Sequence, residues 1–256
     1  MLLPKFEKRV KLIYIDPPYN TGATSFGYKD RFDRSTWLTF MKQRLELARQ
    51  FLSDDGSIFV QLDFHEVHYL KVLMDGIFGE ENFRNDIVWC YTGPSGSNKF
   101  LPRKHDNILY YARGADCEFH MPRIKHKSGI HNTGQLFGSA NGDDDFKSAA
   151  EDRGKKLEDW WIDISSTDRY RSEAIGFVGQ KPVRLIERII RIGTSEGDLV
   201  MDFFAGSGTT AIAAHNLNRR FILIEREDYI ESITVPRVRN AGAEFTYCEW
   251  GGIFYV

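Results

Sequence analysis

Asp16-Pro17-Pro18-Tyr19 joins a carboxylate, two rigid prolines and an aromatic ring at the end of the apolar run Leu12-Ile13-Tyr14-Ile15, and opens into Asn20-Thr21-Gly22. A carboxylate accepts hydrogen bonds from an amino group. Each proline fixes its own φ and restricts the residue before it, so the turn is stiff. The backbone carbonyls here can point outward as acceptors, and Tyr19 offers a flat face for stacking. Together these groups can hold a planar, exocyclic amine on a base. Far downstream, Asp202-Phe203-Phe204-Ala205-Gly206-Ser207-Gly208-Thr209-Thr210 follows another apolar run. Gly206 and Gly208 let the backbone approach a ligand and turn sharply. Strand, glycine turn, helix is the common geometry for nucleotide-like ligands. Thr209 and Thr210 stand where a dinucleotide fingerprint leads to its third glycine, which weakens a dinucleotide reading.

The elements that must position these residues follow from periodicity. Lys11–Asp16 is expected as a buried parallel strand. Ser35–Leu52 is expected as a helix, with Trp37, Leu38, Met41, Leu45, Ala48 and Leu52 at three- and four-residue steps. Asp54-Asp55-Gly56 then makes a turn, Ser57–Leu62 a strand and His65–Phe78 a helix. Asp86–Tyr91 and Asn107–Ala112 are two further strands around the Gly-, Ser- and Pro-rich loop Thr92–Asn98. Gln180–Ile192 is an amphipathic helix with Pro182 in its first turn. Asp198–Phe204 is a strand, Gly208–Leu217 a helix and Phe221–Glu225 a strand ending in an acid. Asp228–Val238 is a helix that Pro236 should end or kink. Phe245–Val256 is aromatic and suits an edge strand. Strands alternating with helices imply a doubly wound, mostly parallel α/β sheet, whose ligands bind at the carboxyl ends of strands. Asp16, Asp202 and Glu225 all fall at such ends.

These two motifs, in this order, resemble the beta class of DNA amino-methyltransferases, which act on adenine N6 or cytosine N4. The modification subunits of type III restriction-modification systems look most similar. Leu12–Gly22, Asp54–Asp63, Ile77–Asn82, Asp159–Ile164, Gly179–Ile190 and Gly197–Thr210 carry the likeness. It implies a Rossmann-like S-adenosylmethionine-dependent methyltransferase sheet with circularly permuted motif order. Residues 1–113 would form the catalytic half, 114–172 an inserted target-recognition region and 173–256 the cofactor-binding half. The insertion is also expected because a structureless loop that long is improbable inside a compact domain. The implied reaction moves a methyl group from S-adenosyl-L-methionine to N6 of an adenine flipped out of double-stranded DNA. A cytosine-N4 enzyme of the same fold is the alternative, as is a truncated DNA-binding or specificity subunit with little activity. Asp16, Pro17, Pro18 and Tyr19 would be catalytic: Asp16 and the Pro17 carbonyl take the amine's hydrogens and Tyr19 stacks on the base. Asn20 and Thr21 would line the base pocket. Phe203, Phe204, Ala205, Gly206, Gly208 and Thr209 would lie around the cofactor. Asp202 would anchor that loop and the cofactor's amino group, and Glu225 the ribose hydroxyls. Lys181 would meet the cofactor carboxylate, although a simple helix-start cation reads nearly as well. The family normally carries a strand, turn and helix ahead of the Asp-Pro-Pro-Tyr strand, and Met1-Leu2-Leu3-Pro4-Lys5-Phe6 looks like the end of that helix. One strand fewer leaves a gap or a new sheet edge, which the aromatic C-terminus is placed to cover.

Composition sets the outer bounds. A 256-residue chain with 42% hydrophobic and 27% charged residues is an ordinary globular protein with room for one sizeable core and an inserted subdomain. No apolar run approaches the ~20 residues of a membrane span, and the start is too short for a signal peptide. Cys90, Cys117 and Cys248 lie far apart, which argues against a zinc site or a disulfide framework and suits a reducing cytoplasm, bacterial, archaeal or phage-infected. No metal is expected. The net charge of −2 does not announce a nucleic-acid partner. Local charge is more suggestive: Lys99, Arg103, Lys104, Arg113, Arg123, Lys125 and Lys127 are interleaved with His105, His120 and His126. Arg169, Arg171, Lys181, Arg184, Arg188 and Arg191 make a second stretch. These read either as solvated surface or as a phosphate-contacting face, with Arg103 and Lys104 as candidate DNA contacts. The resemblance also admits a homodimer and a restriction subunit as partners.

Overall fold

The computed structural model describes residues 3–23, 30–91, 93, 98–124, 155–167 and 172–249. Its centre is a seven-stranded sheet, and it carries helices on both faces. The strands are β1 (Val10–Ile15), β2 (Leu52–Leu62), β3 (Phe83–Cys90), β4 (His105–Ala112), β7 (Trp160–Trp161), β8 (Leu199–Asp202) and β9 (Arg220–Leu223). Their spatial order is β7-β3-β4-β2-β1-β8-β9. β4 runs antiparallel to β2 and β3, while the pairs β1–β2, β1–β8, β8–β9 and β3–β7 are parallel. A separate two-stranded ladder joins β5 (Arg123–Ile124) to β6 (Lys155–Lys156).

The near-continuous apolar run of β1 is what a strand covered on both faces requires. Ile13 and Ile15 pack into one core with Trp37, Met41, Leu45, Leu70 and Met74. Leu12 and Tyr14 point the other way, onto Leu185, Ile186, Ile189, Ile190, Ala213 and Ala214. The first face is covered by α2 (Arg34–Phe51) and α3 (Val67–Phe78), which follow a short helix α1 (Leu3–Phe6). The second is covered by α4 (Val183–Gly193) and α5 (Thr209–Asn216). In α2 the buried residues Trp37, Met41, Leu45 and Ala48 follow the expected three- and four-residue spacing.

Four local expectations change. The turn at Asp54-Asp55-Gly56 lies inside β2: Val10 faces Leu52 but Leu12 faces Ser57, so the intervening residues bulge out of register. A Cβ on Gly56 would stand 3.0 Å from the Lys11 and Val10 carbonyls, which is why a glycine sits there. β8 stops at Asp202, so Phe203 and Phe204 belong to the turn. Pro182 precedes α4 with ψ 135°, an extended geometry that leaves Gln180 and Lys181 outside the helix. Pro236 does not break its helix: a π-helical turn at Ile230–Thr234 leads into α6 (Val235–Asn240), and the proline stands in the first turn of α6, just after that wider turn.

β9 lies at the edge of the sheet, and Phe245 packs on its Phe221 at 6.3 Å. Residues 245–249 form no strand; Trp250, Phe254 and Tyr255 fall outside the described residues. Of the expected insertion, 125–154 and 168–171 are likewise outside them. Trp160 and Trp161 pair with Val88 and Trp89, and Trp161 is buried in the second core. Among the described residues no helix is long and apolar enough to cross a membrane.

Candidate active site

Because β1 and β8 are hydrogen-bonded parallel neighbours, Asp16 and Asp202 emerge at the same edge of the sheet. β4 runs the other way, so its beginning lies at that edge too. The residues after β1 form a tightly tied loop. The Trp37 indole donates to the Pro18 carbonyl at 2.8 Å. Asn20 adopts φ 60°, a left-handed conformation that asparagine tolerates better than most. Its backbone N–H donates to Asp30 Oδ1 at 2.8 Å, its Nδ2 to Glu66 Oε1 at 2.7 Å, and its Oδ1 accepts from Phe32 N–H at 2.8 Å. Thr21 donates to Asp30 through its backbone N–H at 3.0 Å and through its hydroxyl. In this structure both side chains brace the loop behind Tyr19.

Asp16 is partly buried, and both of its oxygens are engaged. Tyr19 donates its hydroxyl to Oδ1 at 2.7 Å, and Lys181 Nζ reaches Oδ2 at 2.5 Å. Burial raises the Asp16 carboxyl above the usual range, while the Lys181 charge and the bonds from Lys181 and Tyr19 pull it back. Lys181 also lies 5.3 Å from the centre of the Tyr19 ring. The Tyr19 hydroxyl stands 3.0 Å from a second carboxylate, Asp106 Oδ2. With one hydrogen, it donates to one of the two at a time. Asp106 also accepts from Gln61 Nε2 at 2.8 Å and from the Tyr91 hydroxyl at 3.0 Å, and Gln61 Oε1 accepts from Tyr14 at 2.7 Å. Asp106 was absent from the residues singled out in the sequence. It lies 87 positions from Tyr19, in a strand read only for its apolar pattern.

On the β8 side, Asp202 Oδ1 accepts from Phe204 N–H at 2.9 Å and Oδ2 from the Thr210 hydroxyl at 2.6 Å. Burial pushes its carboxyl up to about 7, with Asp16 and Glu225 adding to the rise and the Thr210 and Phe204 bonds opposing it. Gly206 has φ 49° and Gly208 φ 81°. Gly208 caps α5, and a Cβ there would stand 2.9 Å from Val238 and 3.0 Å from Thr234. Glu225, past the end of β9, accepts from Gly206 N–H at 2.9 Å and from Arg226 and Glu227 N–H at 2.8 and 3.1 Å. Its carboxylate ties the glycine turn to the next strand. Thr209 donates to the Lys181 carbonyl at 3.2 Å. Arg237, another residue with no signal in the sequence, donates to the Ser207 carbonyl at 3.0 Å and to the Ser207 and Thr209 hydroxyls at 2.7 and 2.9 Å.

Asp16, Pro18, Lys181, Asp202, Phe203, Phe204, Ala205, Gly206, Thr209 and Glu225 border one open cavity of about 1760 Å³. Arg103 and Lys104 are not among its walls; they precede β4 at the same sheet edge. Arg103 lies over the Phe64 ring, and Lys104 gives its carbonyl to Tyr91 N–H at 2.9 Å. From the second basic stretch, Arg188 is turned inward onto Asp163 at 2.8 and 2.5 Å, beside Trp161. Arg169 and Arg171 lie outside the described residues. Among the described residues no cluster of side chains suits a metal ion.

Known proteins resemble this chain in sequence and in fold. The chain is 31% identical to the probable type III restriction-modification enzyme HindVI Mod subunit of Haemophilus influenzae, a match covering 97% of this chain and 52% of that protein. It is 25% identical to the type III StyLTI Mod subunit of Salmonella typhimurium, covering 89% of this chain and 50% of that one. The chain thus spans about half the length of these curated relatives. Among solved structures, the M1.HpyAVI–SAM complex superposes with a TM-score of 0.62 at 19% identity, covering 93% of this chain and 94% of that one. PvuII DNA methyltransferase (cytosine-N4-specific) superposes at 0.63 and 15% identity, covering 96% and 84%. Both show the Rossmann-like fold. The family model for DNA methylases of the N6/N4 type matches residues 10–235, and the chain belongs to that family.

Proposed function

We propose that this chain methylates N6 of an adenine rotated out of duplex DNA, with S-adenosylmethionine as the methyl donor. The observation that carries the reading is the shared cavity: adjacent parallel strands bring Asp16 and Asp202 to its walls, together with the glycine turn and Glu225. The walls suit the donor's chemistry. A buried carboxylate at Asp202 faces an ammonium well, Glu225 suits ribose hydroxyls, and the left-handed glycines let the backbone approach a nucleoside. When bound, S-adenosylmethionine supplies a methyl group activated on a sulfonium.

The chain's own residues supply orientation and electrostatics. The lone pair of an adenine amine is delocalised into the ring. Hydrogen bonds from that amine to Asp16 and the Pro17 carbonyl favour a tetrahedral nitrogen and localise the pair. Lys181 opposes the rise that burial imposes on the Asp16 carboxyl, which favours its acceptor form. Tyr19, held at its hydroxyl by two carboxylates, presents its ring to the base, which must leave the stack to arrive there. The methylated nitrogen then gives a proton to Asp16. The partner in this reading is double-stranded DNA, met in the cytoplasm; a second copy, or a restriction subunit of the kind the relatives' names imply, would join it.

The test begins with calorimetric titration of S-adenosylhomocysteine into the wild type and Asp202→Ala. Binding that is lost in the variant is expected. Methylation of mixed-sequence duplex DNA follows, with the product nucleosides separated. N6-methyladenine supports the proposal, N4-methylcytosine transfers it to the cytosine reaction, and neither binding nor methylation by the wild type overturns it.

A further inference from the structure

Two large aromatic side chains stand exposed beside the site, with an arginine between them. Phe64 follows β2 two residues past its end and is 37% exposed; Phe100 is 56% exposed, and Leu101 next to it 88%. The Arg103 guanidinium lies 3.8 Å from the centre of the Phe64 ring and 4.7 Å from that of Phe100. The His65 ring is tilted by 34° against Phe64, with centroids 3.9 Å apart, and Asp63 holds the His65 Nδ1 at 2.8 and 2.9 Å. The result is a cluster of aromatic rings around one guanidinium. Its position is fixed by topology. β2 ends, β1 ends and β4 begins at one edge of the sheet, so the stack shares that edge with Asp16 and Tyr19. Asp106, three residues after Arg103, has its Oδ2 3.0 Å from the Tyr19 hydroxyl.

We infer that the Phe64–Arg103–Phe100 stack is a platform for a nucleobase left without its partner when the target base rotates out. This deepens the proposed function and rests on it. Three properties of the patch point to DNA. Its flat π faces and planar cation match what unstacked bases seek. Its chain segment carries Lys99, Arg103, Lys104 and His105 within seven residues, a charge that complements phosphate. It lies beside the cavity that must receive the rotated base, where the duplex loses stacking that an aromatic wedge restores. A guanidinium held over two rings also keeps its edge aligned for a base acceptor.

The experiment uses the full chain with bound S-adenosylhomocysteine. Fluorescence anisotropy compares a labelled mixed-sequence duplex with the same duplex carrying one abasic position, which leaves the opposite base unpaired. The variants are Phe64→Ala, Phe100→Ala and the charge-preserving Arg103→Lys, each checked for unchanged S-adenosylhomocysteine affinity. The wild type is expected to bind the abasic duplex about tenfold or more tighter than the intact one, the size of a single base–aromatic stack. Each variant should lose most of that preference while the salt dependence keeps its slope, because no phosphate contact is removed. If the wild type shows no preference, or the variants match it on both duplexes, the stack is structural and the inference falls. A wild type that binds neither duplex overturns the methyltransferase reading itself, which separates the two failures. Retention of the preference in Arg103→Lys alone would shift the platform to the two phenylalanines, and its loss in Arg103→Lys alone would overturn their role.

Discussion

Burial and the Tyr19 hydroxyl act in opposite directions on the Asp16 carboxyl. Burial raises the Asp16 carboxyl, and Lys181 and Tyr19 pull it back. Asp16→Ala removes the acceptor for the amine, and methylation should fall by about 10²–10³-fold, the usual cost of one positioned electrostatic group. S-adenosylhomocysteine affinity, measured by calorimetry, should stay unchanged; a parallel loss of both would place Asp16 in the cofactor site instead. Asp106 acts through Tyr19, with its carboxylate taking bonds from Tyr19, Gln61 and Tyr91. Asp106→Asn turns one acceptor oxygen into a donor among three donors. Stability should drop by about 1–3 kcal/mol, as for a buried polar group left unmatched, and kcat should fall more than KM rises. Equal kcat for variant and wild type would show that Tyr19 needs no such brace. The acid-proline-proline-tyrosine turn was legible because four neighbouring residues carry its chemistry. Asp106 was not, because its meaning depends on three side chains from other strands. Lys181 was legible as a site residue, yet its partner in the structure, 165 positions away at Asp16, follows from Pro182 standing outside α4.

Elements were read well where burial repeats and poorly where a neighbour sets the outcome. β1 and α2 announce themselves through apolar period, and both lie within a residue or so of expectation. The bulge in β2 depends on how β1 pairs with it, which no local pattern encodes. The same holds for β7, two tryptophans whose strand character comes only from pairing with β3. The glycine turn between β8 and α5 shows both sides of this. Its residue types signalled a sharp turn, but the packing of Val238 and Thr234 against Gly208 needs α6 in place. Gly208→Ala therefore meets two obstacles, a φ of 81° and a Cβ close to both side chains. The conformational term alone costs about 1–2 kcal/mol. Urea unfolding should show at least that loss, and S-adenosylhomocysteine binding should weaken because the turn must open to relieve the contact. A variant as stable as the wild type would mean that α6 yields without disturbing the turn.

At the scale of the molecule, the order β2-β1-β8-β9 puts the buried Asp202 and the partly buried Asp16 at one end of the sheet, and this sets a pH dependence. The doubly wound class was legible from the alternation of strands and helices, and so was the placing of Asp16, Asp202 and Glu225 at strand ends. Their mutual repulsion was not, since it requires knowing that β1 and β8 are neighbours. Asp202 titrates at about 7 in the folded chain, against about 3.9 in an unfolded one. A raised carboxyl binds its proton more tightly when folded, so its contribution to stability is complete below pH ~4 and is lost as pH rises through about 7. A shift of roughly three units corresponds to about 4 kcal/mol at its upper bound. Asp202→Asn keeps an oxygen for Phe204 N–H or Thr210 and carries no charge at any pH. The melting temperatures of wild type and variant, measured without cofactor from pH 5 to pH 8, should therefore diverge, with the variant gaining on the wild type as pH rises. Adding S-adenosylmethionine should narrow the divergence, since an ammonium beside Asp202 favours its ionised form. A gap that stays constant across the range would mean that Asp202 ionises near the ordinary carboxylate value, and that the strand-end acids do not burden one another.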